Sequence, residues 1–438
     1  MTNVQKQVYE RFGESMISAQ LDNGLDVHIL PKAGFHKTYA IMTTNYGAID
    51  NTFVPRGERE TVHMPDGIAH FLEHKLFEKQ DYDAFQLFGQ YGASSNAFTT
   101  FTTTSYLFSA SQNIHDNLDI LLDFVQEPYF SEASVNKEKG IIGQEIQMYD
   151  DDAGWQLYFG TLRNLFPGEP MSIDIAGTVE SIDQITADDL YRSYRTFYHP
   201  SNMSLFIVGG IDADETLNWV TANQNRKTFS APTEIKRHPI HHVKADEVIP
   251  FTQTPMPVNR AKAAVGMRGF DSLPEGKAGM VYELALSMMM DLLFNDTSET
   301  YLALYNQGLI DDSFGYSSEV ERGAHFIMIS SETDEPETFI KTFESLLDAA
   351  PDKIGQLADQ FELVKNEAAG RLISAMNSVE AIANQYSGPL FGQTNIFDEL
   401  EAVQQLTLAD VQRVTTDFIR NGAMTGHVVN PLVDNDKN

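Results

Sequence analysis

Apolar and polar positions alternate over Ala19–Leu30 and Lys37–Thr44, which predicts strands, and then take helical spacing near Gly67–Glu78 and Tyr82–Tyr91. A strand pair is expected over Ala97–Ala110, followed by helices over Ile114–Phe124 and Ser131–Tyr149. Pro200 ends a helix, and the apolar run at 203–208 reads as the strand after the turn. Farther on, the pattern predicts a strand at Val258–Arg268, a helix at Ala278–Leu293, a strand at His325–Ser331, and helices at Lys341–Leu347 and Gln356–Met376. Strands and helices do not alternate one by one, so the expected fold class is α+β with antiparallel pairing.

The pattern also repeats. Glu180–Arg192 and Glu401–Arg413 lie 221 positions apart and share five of 13 residues: Glu180/Glu401, Gln184/Gln405, Thr186/Thr407, Asp189/Asp410 and Arg192/Arg413. In each copy a Thr stands where a helix N-cap is needed, with an acid two or three residues later. An offset of about half the chain predicts two related halves. Between them, Pro232, Pro239, Pro250, Pro255 and Pro257 disfavour any long element. The expected organisation is a first half over 1–222, a linker over 223–257 and a second half over 258–438.

Composition narrows the chemistry. The 438 residues suffice for sizeable cores, and with no Cys the strong metal-ligand side chains left are His, Asp and Glu. Against 30 basic residues stand 62 acidic ones, a formal charge of −32 that repels phosphate backbones and anionic lipid. Nucleic-acid and membrane partners are therefore not expected, and basic peptides are favoured. No basic leader with an apolar stretch opens the sequence, and no apolar run nears the roughly 18 residues of a membrane helix, so a cytoplasmic protein is expected.

The most informative segment is His70-Phe71-Leu72-Glu73-His74. On a helix, residues four apart share a face, so His70 and His74 can bind one metal ion with Glu73 beside them. Imidazole suits zinc, a catalytic site needs a third protein ligand and an open position for water, and Glu73 would be the general base. Glu138 and Glu145, seven apart on one predicted helix, share a face two turns apart, so Glu145 can supply the third ligand with Glu138 behind it. Taken alone, these two acids read more simply as surface charge. Arg237–His242 reads as a solvated turn, Asp150–Asp152 as a charged loop, and Met288, Met289 and Met290 as core.

The motif, followed 71 residues after His74 by Glu145, resembles the pitrilysin/insulinase family of zinc peptidases, which includes mitochondrial processing peptidase. Gly92–Thr99 with Thr104 and Tyr106, Gly177–Ile182 and Phe197–Met203 resemble the same family, so the likeness spans most of 20–210. The chain resembles the short bacterial branch, which includes proteins associated with elongation factor P modification. The resemblance implies a clamshell of repeated α+β halves, one Zn²⁺ per chain on His70, His74 and Glu145, Glu73 as base and Glu138 supporting the site. It also implies that a substrate peptide adds to an edge strand near Asn96, Ala97, Phe98 and Thr99.

Shifted by 221, the two histidines fall on Asp291 and Asn295, so the second half is expected to bind no zinc. Relatives use an Arg and a Tyr from that half on the substrate carbonyl. Thr300–Tyr316 resembles the region without a matching Arg, leaving Tyr316 as the expected transition-state donor. The expected function is a zinc endopeptidase of unfolded peptides, in which metal-bound water attacks the scissile carbonyl with Glu73 as base. The alternative is a zinc-bearing subunit of a maturation complex that needs a partner chain. Short family members work as homodimers or as heterodimers with a motif-less relative. A third reading, a zinc hydrolase of small molecules, would require a compact pocket instead of a strand-edge groove.

Overall fold

A computed structural model describes residues 3–238 and 243–432. The chain opens with a hairpin, β1 (Asn3–Tyr9) and β2 (Glu14–Gln20), followed by β3 (Asp26–Pro31) and β4 (Thr38–Thr44). The single strand expected over Ala19–Leu30 is thus broken. Asn23-Gly24 turns the chain, with Gly24 at φ 92° and Leu21 N–H closing on Leu25 O at 2.9 Å. Only a residue without a Cβ takes that backbone at no cost.

Two short strands, β5 (Thr52–Val54) and β6 (Val62–His63), precede α1 (Ile68–Phe77) and α2 (Ala84–Gln90). Then come β7 (Ser94–Thr99), β8 (Thr104–Ala110), α3 (Ile114–Gln126), α4 (Glu132–Asp150) and α5 (Ala153–Leu165). Asp152 caps α5, accepting from Trp155 N–H at 2.7 Å, so the acidic run there serves a helix start. The half closes with α6 (Val179–Asp183), α7 (Ala187–Phe197), β9 (Met203–Gly209) and α8 (Ala213–Asn225).

The stretch 223–257 carries only short elements. Of these, β10 (Lys236–Arg237) pairs with β5, and β11 (Phe251–Met256) is an edge strand of the second sheet. His241 and His242 lie outside the described residues. Next follow β12 (Ala261–Arg268), α9 (Lys277–Phe294), α10 (Glu299–Gln307), β13 (Gly315–Glu321) and β14 (Ala324–Thr333). The chain ends with α11 (Pro336–Asp348), α12 (Ala350–Ile354), α13 (Ala358–Ala375), α14 (Val379–Asn384), α15 (Ile396–Gln405), α16 (Leu408–Asn421) and β15 (Ala423–Pro431).

The two halves repeat one plan. The first sheet runs β1-β2-β3-β9-β4-β8-β7 and the second β11-β15-β12-β14-β13. Each is antiparallel except for one parallel pair, β3 with β9 and β11 with β15. Thr186 and Thr407 cap α7 and α16 through identical boxes, each hydroxyl accepting from the N–H three residues on, at Asp189 and Asp410. Each sheet packs its own helices on one face, where Met288, Met289 and Met290 of α9 are fully buried as expected.

The opposite faces are exchanged. Leu157, Phe159, Leu162 and Leu165 of α5 pack on Ala264, Phe326, Met328 and Val429 of the second sheet. In return Val379, Ile382, Ile396 and Phe397 of α14 and α15 pack on Tyr39, Ile41, Phe206 and Val208 of the first. Each large apolar side chain so buried contributes roughly 1.5–3 kcal/mol, and the halves are held together as one body. The close approach of α5 needs Gly160, where a Cβ would stand 2.2 Å from the His427 ring.

Candidate metal centre

The metal motif lies on α1, which begins at Gly67. That residue has φ 87°, and a Cβ there would meet Ala176 O at 2.3 Å. Phe71, Leu72, Leu76 and Phe77 pin the helix into the first core. His70, Glu73 and His74 then face α4, which carries Glu138 and Glu145 two turns apart.

His70 Nε2 lies 3.7 Å from Glu145 Oε1, and His74 Nε2 lies 3.6 Å from Glu145 Oε2. Ligand atoms of the three residues all fall within 4.8 Å of one another, and they form the single such group among the described residues. Tetrahedral ligands ~2.1 Å from zinc stand ~3.4 Å apart, so the set fits the ion with small side-chain adjustments. Burial, with His74 adjoining, pulls His70 down to about 4, which keeps it in the neutral form a metal requires.

Behind these residues stand partners that orient them. Glu138 Oε1 lies 3.2 Å from His74 Nδ1, leaving Nε2 directed at the centre. Burial would lower His74, but Glu138, Glu73 and Glu145 together carry it above its ordinary value. Burial would likewise raise Glu138, yet His74 and Lys75 hold it down. Lys75 is fully buried and pairs with Glu78 and, at 3.8 Å, with Glu138. Tyr149 donates to Glu145 Oε1 at 2.7 Å. Sequence reasoning missed Lys75 and Tyr149; the cue for Lys75 was its place within an apolar helical run.

Glu73 is only 8% exposed. Burial pushes its carboxyl up, against the pull of a 2.6 Å hydrogen bond donated by Thr99 Oγ1 and of His74. Thr99 ends β7, the free edge of the first sheet. Asn96, Ala97, Phe98 and Thr99 line a cavity of about 610 Å³ together with Glu73, Glu138 and the three candidate ligands. The expected strand and the expected metal residues thus meet around one space.

Tyr316 does not join them. It lies on β13, where its hydroxyl donates to Asp291 Oδ1 at 2.9 Å and its ring packs near Phe294 and Phe314. Arg371 pairs with the same Asp291 at 2.8 Å. Asp291 captures the hydroxyl that was expected to face substrate.

The family model described as insulinase (peptidase family M16) matches residues 53–175, and the one described as peptidase M16 inactive domain matches 184–365. A Bacillus subtilis protein named uncharacterised zinc protease YmfH is 46% identical over 95% of this chain and 97% of its own. A Streptomyces coelicolor protein named uncharacterised zinc protease SCO5738 is 23% identical over 86% of this chain and 83% of its own. Among solved structures, one described as an M16-like peptidase from Alicyclobacillus acidocaldarius superposes with TM-score 0.89 at 32% identity, covering 98% of this chain and 99% of that one. A protease from Helicobacter pylori shares the fold with TM-score 0.77 at 18% identity, over 95% of this chain and 99% of its own. Two M16 family models matched in succession, near-half identity to YmfH over almost the whole chain and the duplicated α+β halves show that the chain belongs to the insulinase family of zinc peptidases, M16.

Proposed function

We propose that this chain is a zinc-dependent endopeptidase of unfolded peptides, carrying one zinc on His70, His74 and Glu145. The observation that carries the reading is Glu73, buried at the cavity wall and tied through Thr99 to the free edge strand β7. Zinc, when bound, supplies a Lewis acid that polarises the scissile carbonyl and makes water easier to deprotonate. The chain's own residues do the rest. Glu73 takes the proton of the attacking water and, with its carboxyl raised by burial, passes it to the leaving amine. Glu138 keeps His74 in the coordinating tautomer, and Tyr149 fixes the rotamer of Glu145. The unpaired backbone of β7 takes an extended peptide as an added strand, which lays its carbonyls past Glu73 and selects for unfolded substrate.

The test is hydrolysis of a mixed peptide pool by purified chain, with and without chelator, beside the Glu73→Gln variant and a zinc assay. Chelator-sensitive cleavage that disappears in Glu73→Gln while zinc stays bound is expected. Turnover retained by that variant would remove Glu73 from the base role.

A second reading, a zinc-bearing subunit that needs a partner chain, is favoured by one observation. The residues lining the metal cavity run from His70 to Ala176, so among the described residues the second half offers it no transition-state donor. Zinc bound without cleavage by the isolated chain would favour this reading.

A further inference from the structure

On its face away from α1, the first sheet borders another cavity, of about 460 Å³. Its floor includes one row of residues across neighbouring strands. Phe98 on β7 pairs with Ser105 on β8, Ser105 with Thr43 on β4, and Thr43 with Ser204 on β9. The roof comes from the second half, with Asn384 at the end of α14, Tyr386 just beyond it, and Glu321 on β13. Phe98, 39% exposed, lines this cavity and the metal cavity alike. Two cavities therefore open at the same free edge, on opposite faces of one sheet.

A strand paired with β7 sends alternate side chains to the two faces. Those level with Ala97 and Thr99 point to the metal side, as Thr99 itself does in bonding Glu73. Those level with Phe98 point into the second cavity. Its lining holds the carboxylates Asp26 and Glu321 and, among the described residues, no Lys, Arg or His. Asp26 already accepts from Gln20 and Gln393. Glu321 accepts from Thr102 at 2.7 Å and makes no ion pair among the described residues, because the adjacent Arg322 is taken by Asp50 at 2.7 Å.

We propose that this second cavity is a substrate subsite for one basic side chain, lysine or arginine, with Glu321 as its counter-charge, reading a single position of a peptide added to β7. The proposal rests on the peptidase reading above and names the substrate feature it selects. Burial pushes the Glu321 carboxyl up to about 7, with Glu319 adding and Thr102 and the nearby Arg322 opposing; because Arg322 is paired with Asp50, an arriving cation meets a carboxyl that forms no ion pair of its own among the described residues. A charge pair formed in so enclosed a place is screened less than a surface pair. The neighbouring hydroxyls and amide, Thr43, Ser105 and Asn384, can receive the remaining ammonium or guanidinium protons.

The experiment compares peptides that differ at one position at a time, Lys against its uncharged isostere norleucine and against Glu. Hydrolysis is read for wild type, Glu321→Gln and Glu321→Lys, with zinc content and thermal unfolding as fold controls. Gln keeps the acceptor for Thr102. In wild type, kcat/KM should favour Lys over norleucine about tenfold at one position, equivalent to ~1.4 kcal/mol. That ratio should fall to near one in Glu321→Gln and turn toward Glu in Glu321→Lys. An unchanged ratio in Glu321→Gln, or no position with a Lys preference in wild type, overturns the subsite. Equilibrium binding of the same peptides to the Glu73→Gln protein reads the ratio without turnover. Selective binding there with no hydrolysis by wild type would sink the peptidase reading and leave the subsite standing.

Discussion

The metal face of the first half and its counterpart in the second stand on the same scaffold and resolve it differently. Shifted by 221 positions, His70 falls on Asp291, Glu73 on Phe294, His74 on Asn295 and Glu145 on Asn366. The strands keep this register, since Ser95 pairs with Phe108 as Tyr316 pairs with Ile329. In the first half, α1 and α4 converge nitrogen and oxygen donors on a space that suits a cation. In the second, the chain supplies its own cation. Arg371 bridges Asp291 at 2.8 Å and Glu367 at 2.6 Å, and Tyr316 adds its hydroxyl to Asp291. The duplicated fold positions a polar cluster in both halves; in the first its side chains form a group that could hold a metal ion, and in the second they pair with one another.

The comparison breaks most sharply at the ligands. His74→Ala should remove both bound zinc and hydrolysis, whereas Asp291→Ala should leave metal content at the wild-type value; metal analysis of the two proteins decides it. Glu138→Gln comes next. Loss of the partner that orients a ligand histidine costs about 10–100-fold in metal affinity, to be read by competition with a zinc-binding dye. Among the described residues the second half holds no matching group of metal-ligating side chains, so the corresponding change there is expected not to move that titration.

A smaller effect concerns three largely buried carboxyls of the second half. Burial first, and acidic neighbours second for Glu283, push Glu283, Glu321 and Glu399 up to about 7. A carboxyl raised on folding holds its proton more tightly in the native chain, so the stability it contributes is full below the unfolded value near 4.3 and drains away as pH rises toward 7. Thermal unfolding should therefore occur at higher temperature at pH 5 than at pH 8. The Glu283→Gln/Glu321→Gln/Glu399→Gln variant should flatten that dependence; an unaltered slope would place the titration elsewhere. Smallest of all, Arg371→Met should cost about 1 kcal/mol in denaturant unfolding, because its pair with Asp291 is partly solvated, and should leave zinc affinity unchanged.

How much of this was legible in the sequence follows from the range of the interactions. His70, Glu73 and His74 could be read because helix spacing alone brings them to one face, whereas Glu138 and Glu145, two turns apart on a second helix, read alone as surface charge and were singled out through the family resemblance. The caps at Thr186 and Thr407 are equally local. The Asn23-Gly24 turn that splits the first expected strand was readable from its own two residues and was passed over. The exchange of α5 for α14 and α15 between sheets was not readable, since it joins apolar faces more than a hundred residues apart that any core would accept. The hydrogen bond of Tyr316 was unreadable for a related reason. Its segment resembles a substrate-facing one, but the partner that takes its hydroxyl, Asp291, lies on another element. Lys75 illustrates the limit of residue type, because a lysine beside the motif reads as surface until Glu78 and Glu138 are seen to bury its charge.

The most direct test of the central claim, that one zinc in the first half drives hydrolysis, is to strip the purified protein of metal and titrate zinc back while recording peptide cleavage. Cleavage should be absent in the stripped protein, rise in proportion to added zinc and level off at one equivalent per chain, with His74→Ala showing no rise. Cleavage that persists in the stripped protein, or that returns with zinc in His74→Ala, would contradict the account.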